Sequence, residues 1–323
     1  MFRCFDRGLR VILGSTPIMT SKRCMCDQSV HNAESHPVFM LGLAQIRVGL
    51  DKKTNIALAR SALEEAKAKG ADMVVLPEIW NSPYSTSSFP VHAEELPAVG
   101  GIPGDDAPSA RMLCDTAHSV GLWVVGGSIP ELEGDRLYNT SLVVNPEGTI
   151  VAKHRKVHLF DINIPGKMVF RESDTLSAGD AVTTVDTPWG RVGVGICYDI
   201  RFPELATIMR QRGCSLFVFP GAFNMTTGPM HWELLQRARA VDNNVFVATC
   251  SPARVTGGKG YVAYGHSSVV SPMGQVLMDL GAPDALDMVD VCRLDMRLVA
   301  EMSAQIPCWS QKRGDLYRTT EGM

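Results

Sequence analysis

Three residues of this chain have side chains that together could attack an acyl carbon: Glu78, Lys156 and Cys197. Cys197 follows the apolar run Val192-Gly193-Val194-Gly195-Ile196 and precedes Phe202-Pro203-Glu204-Leu205, where a helical pattern begins. A thiol at the carboxyl end of a buried strand, just ahead of a helix N-terminus, points out of the sheet. There it meets free backbone N–H groups and the positive end of the helix dipole. That setting favours the thiolate, the nucleophilic form. Taken alone, such a cysteine is more often a small buried apolar residue. Glu78 follows a short apolar run in Pro77-Glu78, and Lys156 ends the basic run Lys153-His154-Arg155-Lys156. Singly, Glu78 reads as a cap for the next segment and Lys156 as one charge of a solvated face. Jointly they supply what a cysteine nucleophile needs. A carboxylate can take the thiol proton and later activate water. An ammonium can stabilise the thiolate and a tetrahedral oxyanion. The backbone N–H of Tyr198 is a second donor to that oxyanion.

Residues of this kind meet where strands end in an α/β fold, so the flanking elements must alternate. Residues 38–48 read as a strand. Asp51 caps a helix running to about Lys69, with Ile56, Ala59, Leu63 and Ala66 on one face and Gly70 as its stop. Residues 73–76 form a short strand, 107–119 a helix and 122–125 a strand. Residues 137–144 and 149–156 form a hairpin around Asn145-Pro146-Glu147-Gly148. Residues 157–180 have little periodicity, and a loop of that length inside a domain is usually functional. Strands at 192–196, 215–219 and 244–249 alternate with helices at 202–211 and 230–242. A second hairpin, 267–270 with 275–278, surrounds Pro272-Met273-Gly274, and 288–294 closes the regular structure. The two halves echo each other, each a strand, a helix and a strand ending near a proline. Helices lie outside and sheet inside. No linker rich in Pro, Gly or Ser divides the body, which reads as one α/β sandwich domain over 38–318.

Composition narrows the classes of function. A chain of 323 residues, 45% hydrophobic, buries a full core, and a formal net charge of -3 argues against a nucleic-acid or membrane-surface role. No apolar run approaches the ~20 residues of a membrane-spanning helix. The nine cysteines are odd in number and scattered, which fits a reducing compartment better than a disulfide framework. Cys24 and Cys26 have no companion cluster that would make a zinc site. Residues 1–37 differ from the rest, with Arg3, Arg7, Arg10, Lys22 and Arg23 against Asp6 and Asp27. They fit an organelle-targeting presequence and equally a disordered extension or a misplaced start, so the protein is expected in the cytoplasm, the mitochondrion or both.

The three segments closely resemble the nitrilase superfamily of carbon–nitrogen hydrolases. The resemblance rests on Pro77-Glu78, on Arg155-Lys156-Val157-His158-Leu159-Phe160 and on Gly195-Ile196-Cys197-Tyr198-Asp199-Ile200-Arg201-Phe202-Pro203-Glu204, in that order. It covers roughly residues 39–317. It implies a four-layer α-β-β-α sandwich that pairs into a homodimer, with Glu78 as base, Lys156 as oxyanion stabiliser and Cys197 as nucleophile. By the same resemblance Glu172, in Phe170-Arg171-Glu172-Ser173, positions Lys156 or the substrate, and Tyr84 lines the pocket. Four segments look like the omega-amidase branch: Asn81-Ser82-Pro83-Tyr84, Gly126-Gly127-Ser128-Ile129-Pro130-Glu131, the stretch 221–229, and the helix that follows it from His231. That branch hydrolyses the terminal amides of 2-oxoglutaramate and 2-oxosuccinamate, and its nearest sister cleaves deaminated glutathione. The expected partner is therefore a small amide, with no metal, cofactor, nucleic acid or membrane. Three departures stand out: the N-terminal extension outside the family body, a glycine-rich loop at 255–260, and Cys250 where a small polar residue is expected.

Other residues weigh less. His154 and His158 are four apart, but on a strand running into a loop that spacing does not converge on a metal. His231 opens an amphipathic helix, where packing or the edge of a pocket is its expected place. Asp199, Arg201 and Glu204 are expected to form an ion-pair network, with Arg201 as an alternative contact for a substrate carboxylate. Gly193-Val194-Gly195 lies inside a strand and so makes no dinucleotide turn. Nitrile or carbamoyl hydrolysis remains an alternative chemistry. A binding module without chemistry would have no use for all four of Glu78, Lys156, Glu172 and Cys197.

Overall fold

The side chains of Met73-Val74-Val75 alternate between two apolar environments, and that alternation sets the layers of the molecule. The structure, a computed structural model, describes residues 37–166, 168–257 and 260–322. Apart from position 37, the expected extension lies outside the described residues, as do Cys4, Cys24 and Cys26 within it and Gly258 and Lys259 of the glycine-rich loop. The chain runs β1 (Val38–Gln45), α1 (Lys52–Ala68), β2 (Met73–Val75), α2 (Phe89–His92), α3 (Pro108–Val120), β3 (Trp123–Val125), β4 (Ile129–Glu133), β5 (Arg136–Val144) and β6 (Ile150–Arg155). It continues through β7 (Asp161–Ile164), β8 (Met168–Arg171), β9 (Thr183–Thr187), β10 (Gly190–Val194), α4 (Pro203–Gln211), β11 (Cys214–Pro220) and α5 (Gly228–Asn243). β12 (Phe246–Cys250), β13 (Ser268–Val270), β14 (Val276–Asp279), β15 (Met288–Asp295) and α6 (Arg297–Gln305) complete it.

Among the described residues the strands form two large sheets and one small one. The first has the order β15-β1-β2-β3-β5-β4, with β6 also on β5; the second runs β14-β13-β12-β11-β10-β9; β7 and β8 pair alone. The centre of each large sheet is parallel, β1-β2-β3 in one and β10-β11-β12 in the other. Leu41, Met73 and Val75 face Val192, Val194 and Val218 across a core between the sheets. Val74 and Val124, on the opposite face of the first sheet, pack under α1 and α3 through Leu63, Ala66, Leu113 and Ala117. Phe217 and Val247 do the same on the second sheet under α4 and α5 through Met209, Trp232 and Ala240. The result is the expected α-β-β-α sandwich. It brings the carboxyl ends of both parallel centres to one region.

Local sequence accounts for the element ends. Asp51 accepts from Thr54 N at 2.8 Å, a cap that contributes about 1 kcal/mol. Six elements depart from the sequence reading: α2, β4, β7, β8, β9 and α6. β4 contains Pro130, which lacks an N–H, and it is tolerated because β4 ends the sheet order. Within 157–180, the stretch without periodicity, β7 and β8 form a hairpin carried by backbone pairing. Regular structure continues past β15 into α6, whose N-cap residue Met296 offers no side-chain cap; its buried residues Val299 and Met302 hold it by packing.

Candidate active site

Glu78 sits just beyond β2, where the chain turns sharply. Ile79 has φ 50, in the left-handed region, and its N–H donates to Ser128 Oγ at 3.0 Å. Gly127 has φ 60, and a Cβ there would lie 2.1 Å from the Pro77 carbonyl oxygen, so only glycine fits this close approach. This is the structural work of Gly126-Gly127-Ser128: it holds the turn that presents Glu78.

Lys156 follows β6, and its Nζ is fully buried between two carboxylates. It lies 3.0 Å from Glu78 Oε1 and 2.8 Å from Glu172 Oε2. Glu172 comes from a 3-10 turn after β8 and is itself held by Phe160 N at 2.7 Å and by the Tyr84 hydroxyl at 2.7 Å. Glu78 Oε1 accepts from Lys156 and from Asn139 Nδ2 at 2.9 Å, with the Tyr84 hydroxyl, whose one proton it shares with Glu172, at 3.3 Å. Oε2 accepts from Ala222 N at 2.7 Å. The Cys197 thiol is a side-chain hydrogen-bond partner of this same carboxyl. All four of Glu78, Lys156, Glu172 and Cys197 thus meet in one buried cluster.

Cys197 stands on a strained turn with φ 49, at the head of a 3-10 turn, Cys197–Arg201. The backbone packs closely there. A Cβ on Gly221 would come within 3.2 Å of Cys197 Cα, and one on Gly195 within 2.5 Å of the Phe219 ring. Asp199 fastens the turn. Its Oδ2 accepts from Ile196 N at 2.9 Å and His154 Nε2 at 3.2 Å, and its Oδ1 from His158 N and Nδ1 at 2.9 and 2.8 Å. The two histidines therefore converge on Asp199 and tie the lysine segment to the cysteine turn. This corrects the expected Asp199–Arg201–Glu204 network: Arg201 Nη1 meets His231 Nδ1 at 3.1 Å, and Glu204 is exposed. The partners of Asp199 come from β6 and the loop after it, out of reach of local spacing.

The electrostatics also revise one expectation. Burial, followed by the charge of Glu78, pushes the Cys197 thiol well above the usual cysteine range, and Lys156 only partly opposes this. α4 begins beyond the 3-10 turn, so the thiol does not sit at the N-terminus of a long helix. A thiol raised in this way keeps its proton until a base takes it. Burial raises the Glu78 carboxyl, Lys156 lowers it, Glu172 raises it, and the net direction is up. Burial opposes the charge of Lys156, but Glu172 and Glu78 outweigh it and keep the ammonium protonated well above its usual range. The arrangement can hold a proton on Glu78 or Cys197 and a fixed positive charge beside both.

A cavity of about 190 Å³ opens onto Glu78, lined by Ile79, Tyr84, Ala222, Pro252 and Tyr261. Tyr84 is therefore a wall of the cavity, and its hydroxyl donates to Glu172 Oε1 with Glu78 Oε1 at the edge of hydrogen-bond range. Tyr261 stacks on Tyr84 with ring centroids 4.6 Å apart, and its hydroxyl donates to the Ala222 carbonyl. Tyr198, next to Cys197, packs its ring on Phe160 and Phe202. Asn139, Ala222 and Tyr261 escaped sequence reasoning. Asn139 lies mid-strand, Ala222 acts through its backbone, and Tyr261 sits in a loop without a pattern. Cys250 is buried, with Sγ 3.4 Å from the Ala44 carbonyl oxygen, and burial raises it to about 12, so it packs rather than reacts. Among the described residues no cluster of three His, Cys, Asp or Glu could hold a metal ion, and no helix is long and apolar enough to cross a membrane.

Comparison with known proteins follows this geometry. The carbon-nitrogen hydrolase family model matches residues 40–300. "Omega-amidase, chloroplastic" of Arabidopsis thaliana is 54% identical over 283 residues, 88% of this chain and 74% of that protein. "Omega-amidase NIT2" of Homo sapiens is 52% identical over 279 residues, 86% of this chain and 96% of that protein. Among solved structures, Saccharomyces cerevisiae Nit3, a member of branch 10 of the nitrilase superfamily, superposes with a TM-score of 0.76 at 40% identity. The match covers 85% of this chain and 97% of that one.

Proposed function

The chain belongs to the carbon-nitrogen hydrolase family, and from that premise we propose that it is an omega-amidase. Its substrates are the monoamides 2-oxoglutaramate and 2-oxosuccinamate, which it converts to 2-oxoglutarate or oxaloacetate and ammonia. The observation that carries the chemistry is the meeting of a neutral, buried Cys197 thiol with the Glu78 carboxyl, beside the Lys156 ammonium. Glu78 takes the thiol proton as sulfur bonds to the amide carbon. Negative charge moves onto the amide oxygen, where Lys156 Nζ and Tyr198 N–H receive it. Glu78 passes its proton to the amide nitrogen, the C–N bond breaks, and ammonia leaves a thioester on Cys197. Glu78 then deprotonates water, which attacks the thioester. The second tetrahedral intermediate collapses to the acid, and the proton returns to sulfur. Every step uses protein groups and water alone.

Substrate size and charge refine the reading. A cavity of about 190 Å³ suits a small monoamide, whereas deaminated glutathione would extend out of its mouth. Arg201 provides a counter-charge for the far carboxylate: its Nε is buried without a hydrogen-bond partner among the described residues, and its guanidinium lies over the Phe223 ring at 4.8 Å. The test is ammonia release from 2-oxoglutaramate and 2-oxosuccinamate against deaminated glutathione and a simple nitrile. Faster turnover of deaminated glutathione would move the assignment to that sister activity.

The assembly is a homodimer, for which α5 offers an apolar face with Met230, Leu234 and Val241 exposed. Sedimentation at micromolar concentration tests this, and a monomer would contradict it. Residues 1–37 direct the protein to the mitochondrion or leave it in the cytoplasm. Fusing them to a reporter decides between the two, and a purely diffuse signal would remove the mitochondrial reading.

A further inference from the structure

The Tyr84 hydroxyl faces the catalytic carboxylates. It is 2.7 Å from Glu172 Oε1 and 3.3 Å from Glu78 Oε1, while its ring stacks on Tyr261 and meets Phe89 edge-on. We propose that Tyr84 is a positioning residue for proton transfer: its single hydroxyl proton, held mainly by Glu172 Oε1 and shared at longer range with Glu78 Oε1, keeps these two oxygens in place, so that Oε2 of Glu78 is the oxygen that exchanges protons with Cys197 and the leaving nitrogen. The proposal rests on the amidase reading above and deepens it.

The case is one of donor supply. Two buried carboxylates share one ammonium, so the cluster holds more negative charge than Lys156 neutralises. Glu78 Oε1 is fastened by Lys156, Asn139 and Tyr84, and Oε2 by Ala222 N. Removing one Oε1 donor loosens the carboxyl and lets its two oxygens compete for the thiol. It also withdraws a dipole whose positive end faces both anions. Burial and the two nearby carboxylates hold the Tyr84 hydroxyl well above the usual tyrosine range, so it remains a donor throughout catalysis.

Tyr84→Phe tests this, because it keeps the ring, its stacking and the cavity wall. Loss of a hydrogen bond to charged groups is expected to lower kcat about ten-fold, with KM changed less than about three-fold. The sign of the pH effect follows from charge. With one donor gone, the ionised carboxylate is less stable, so the Glu78 carboxyl rises and the acid limb of kcat/KM moves to higher pH. Alkylation of Cys197 by iodoacetamide should shift the same way, since the thiolate sits in the same under-neutralised cluster. A mere wall would instead change KM, or nothing, and leave both pH profiles in place; that result overturns the proposal. The alkylation profile is read without turnover. A shifted profile in a protein that releases no ammonia would therefore uphold the role of Tyr84 and remove the amidase reading.

Discussion

Glu78 and Glu131 are both buried glutamates of the first sheet, and both bond to basic side chains, yet their carboxyls move in opposite directions. Glu131 accepts from Lys153, from Arg155 Nε and Nη2 at 2.8 and 2.7 Å, and from Thr140 Oγ1 at 2.6 Å. Burial raises it, but these donors prevail and hold it below the usual range. Glu78 has one cation, shared with Glu172, and ends above the usual range. Two cations on Glu131, one of them shared with the exposed Glu133, make a strut with its charge locked in place. One cation between two carboxylates makes a group that can still accept a proton. Both side chains are closed to solvent, but Glu78 lies deeper, and the ratio of charges adds to that difference in burial.

The largest effect that would break this comparison is on turnover. Glu78→Gln should reduce kcat/KM by on the order of 10³-fold or more, because the base and the proton donor are lost together. Thermal unfolding of the same variant should change little, since the substitution leaves Lys156 and Glu172 as a neutral pair. Glu131→Gln should do the reverse. Its loss leaves Lys153 and Arg155 partly uncompensated and costs about 1–3 kcal/mol in denaturant titration, with kcat within about two-fold. Comparable losses of activity in both variants would erase the distinction between base and strut.

The smaller effects are in pH. The acid limb of wild-type kcat/KM should lie above the ~4.3 of an ordinary glutamate. Glu172→Gln removes a like charge that raises Glu78, so the acid limb should move down in that variant. For stability the two glutamates have opposite signs. Glu131, lowered in the folded state, contributes stability that is present above its unfolded pKa and is lost as pH falls through its folded value. Glu78, raised in the folded state, favours folding below its unfolded pKa, and that contribution is lost as pH rises through its folded value. Thermal midpoints of Glu131→Gln and wild type should therefore converge at acid pH, and a constant gap would contradict the assignment.

The sequence revealed Glu78, Lys156 and Cys197 because each sits at or just beyond the end of a strand, which is where side chains leave a sheet. It revealed the sandwich because the strand and helix periods alternate cleanly in both halves. It concealed the donors around Glu78, since Asn139 lies mid-strand and Ala222 contributes only an N–H. It misassigned the partners of Asp199, because His154 and His158 reach it only once the two sheets stack. β4 and α6 escaped for local reasons: Pro130 breaks the pattern of an edge strand, and α6 starts without a side-chain cap.

The central claim is that Glu78 activates Cys197 for attack on a small amide. Ammonia release from 2-oxoglutaramate by wild type and by Cys197→Ala, assayed side by side at matched concentration, tests it most directly. Wild type should release ammonia steadily, and the variant, which stays folded because alanine fills much of the same space, should lose activity on the order of 10⁴-fold or more. Release by Cys197→Ala at a rate near wild type would contradict it.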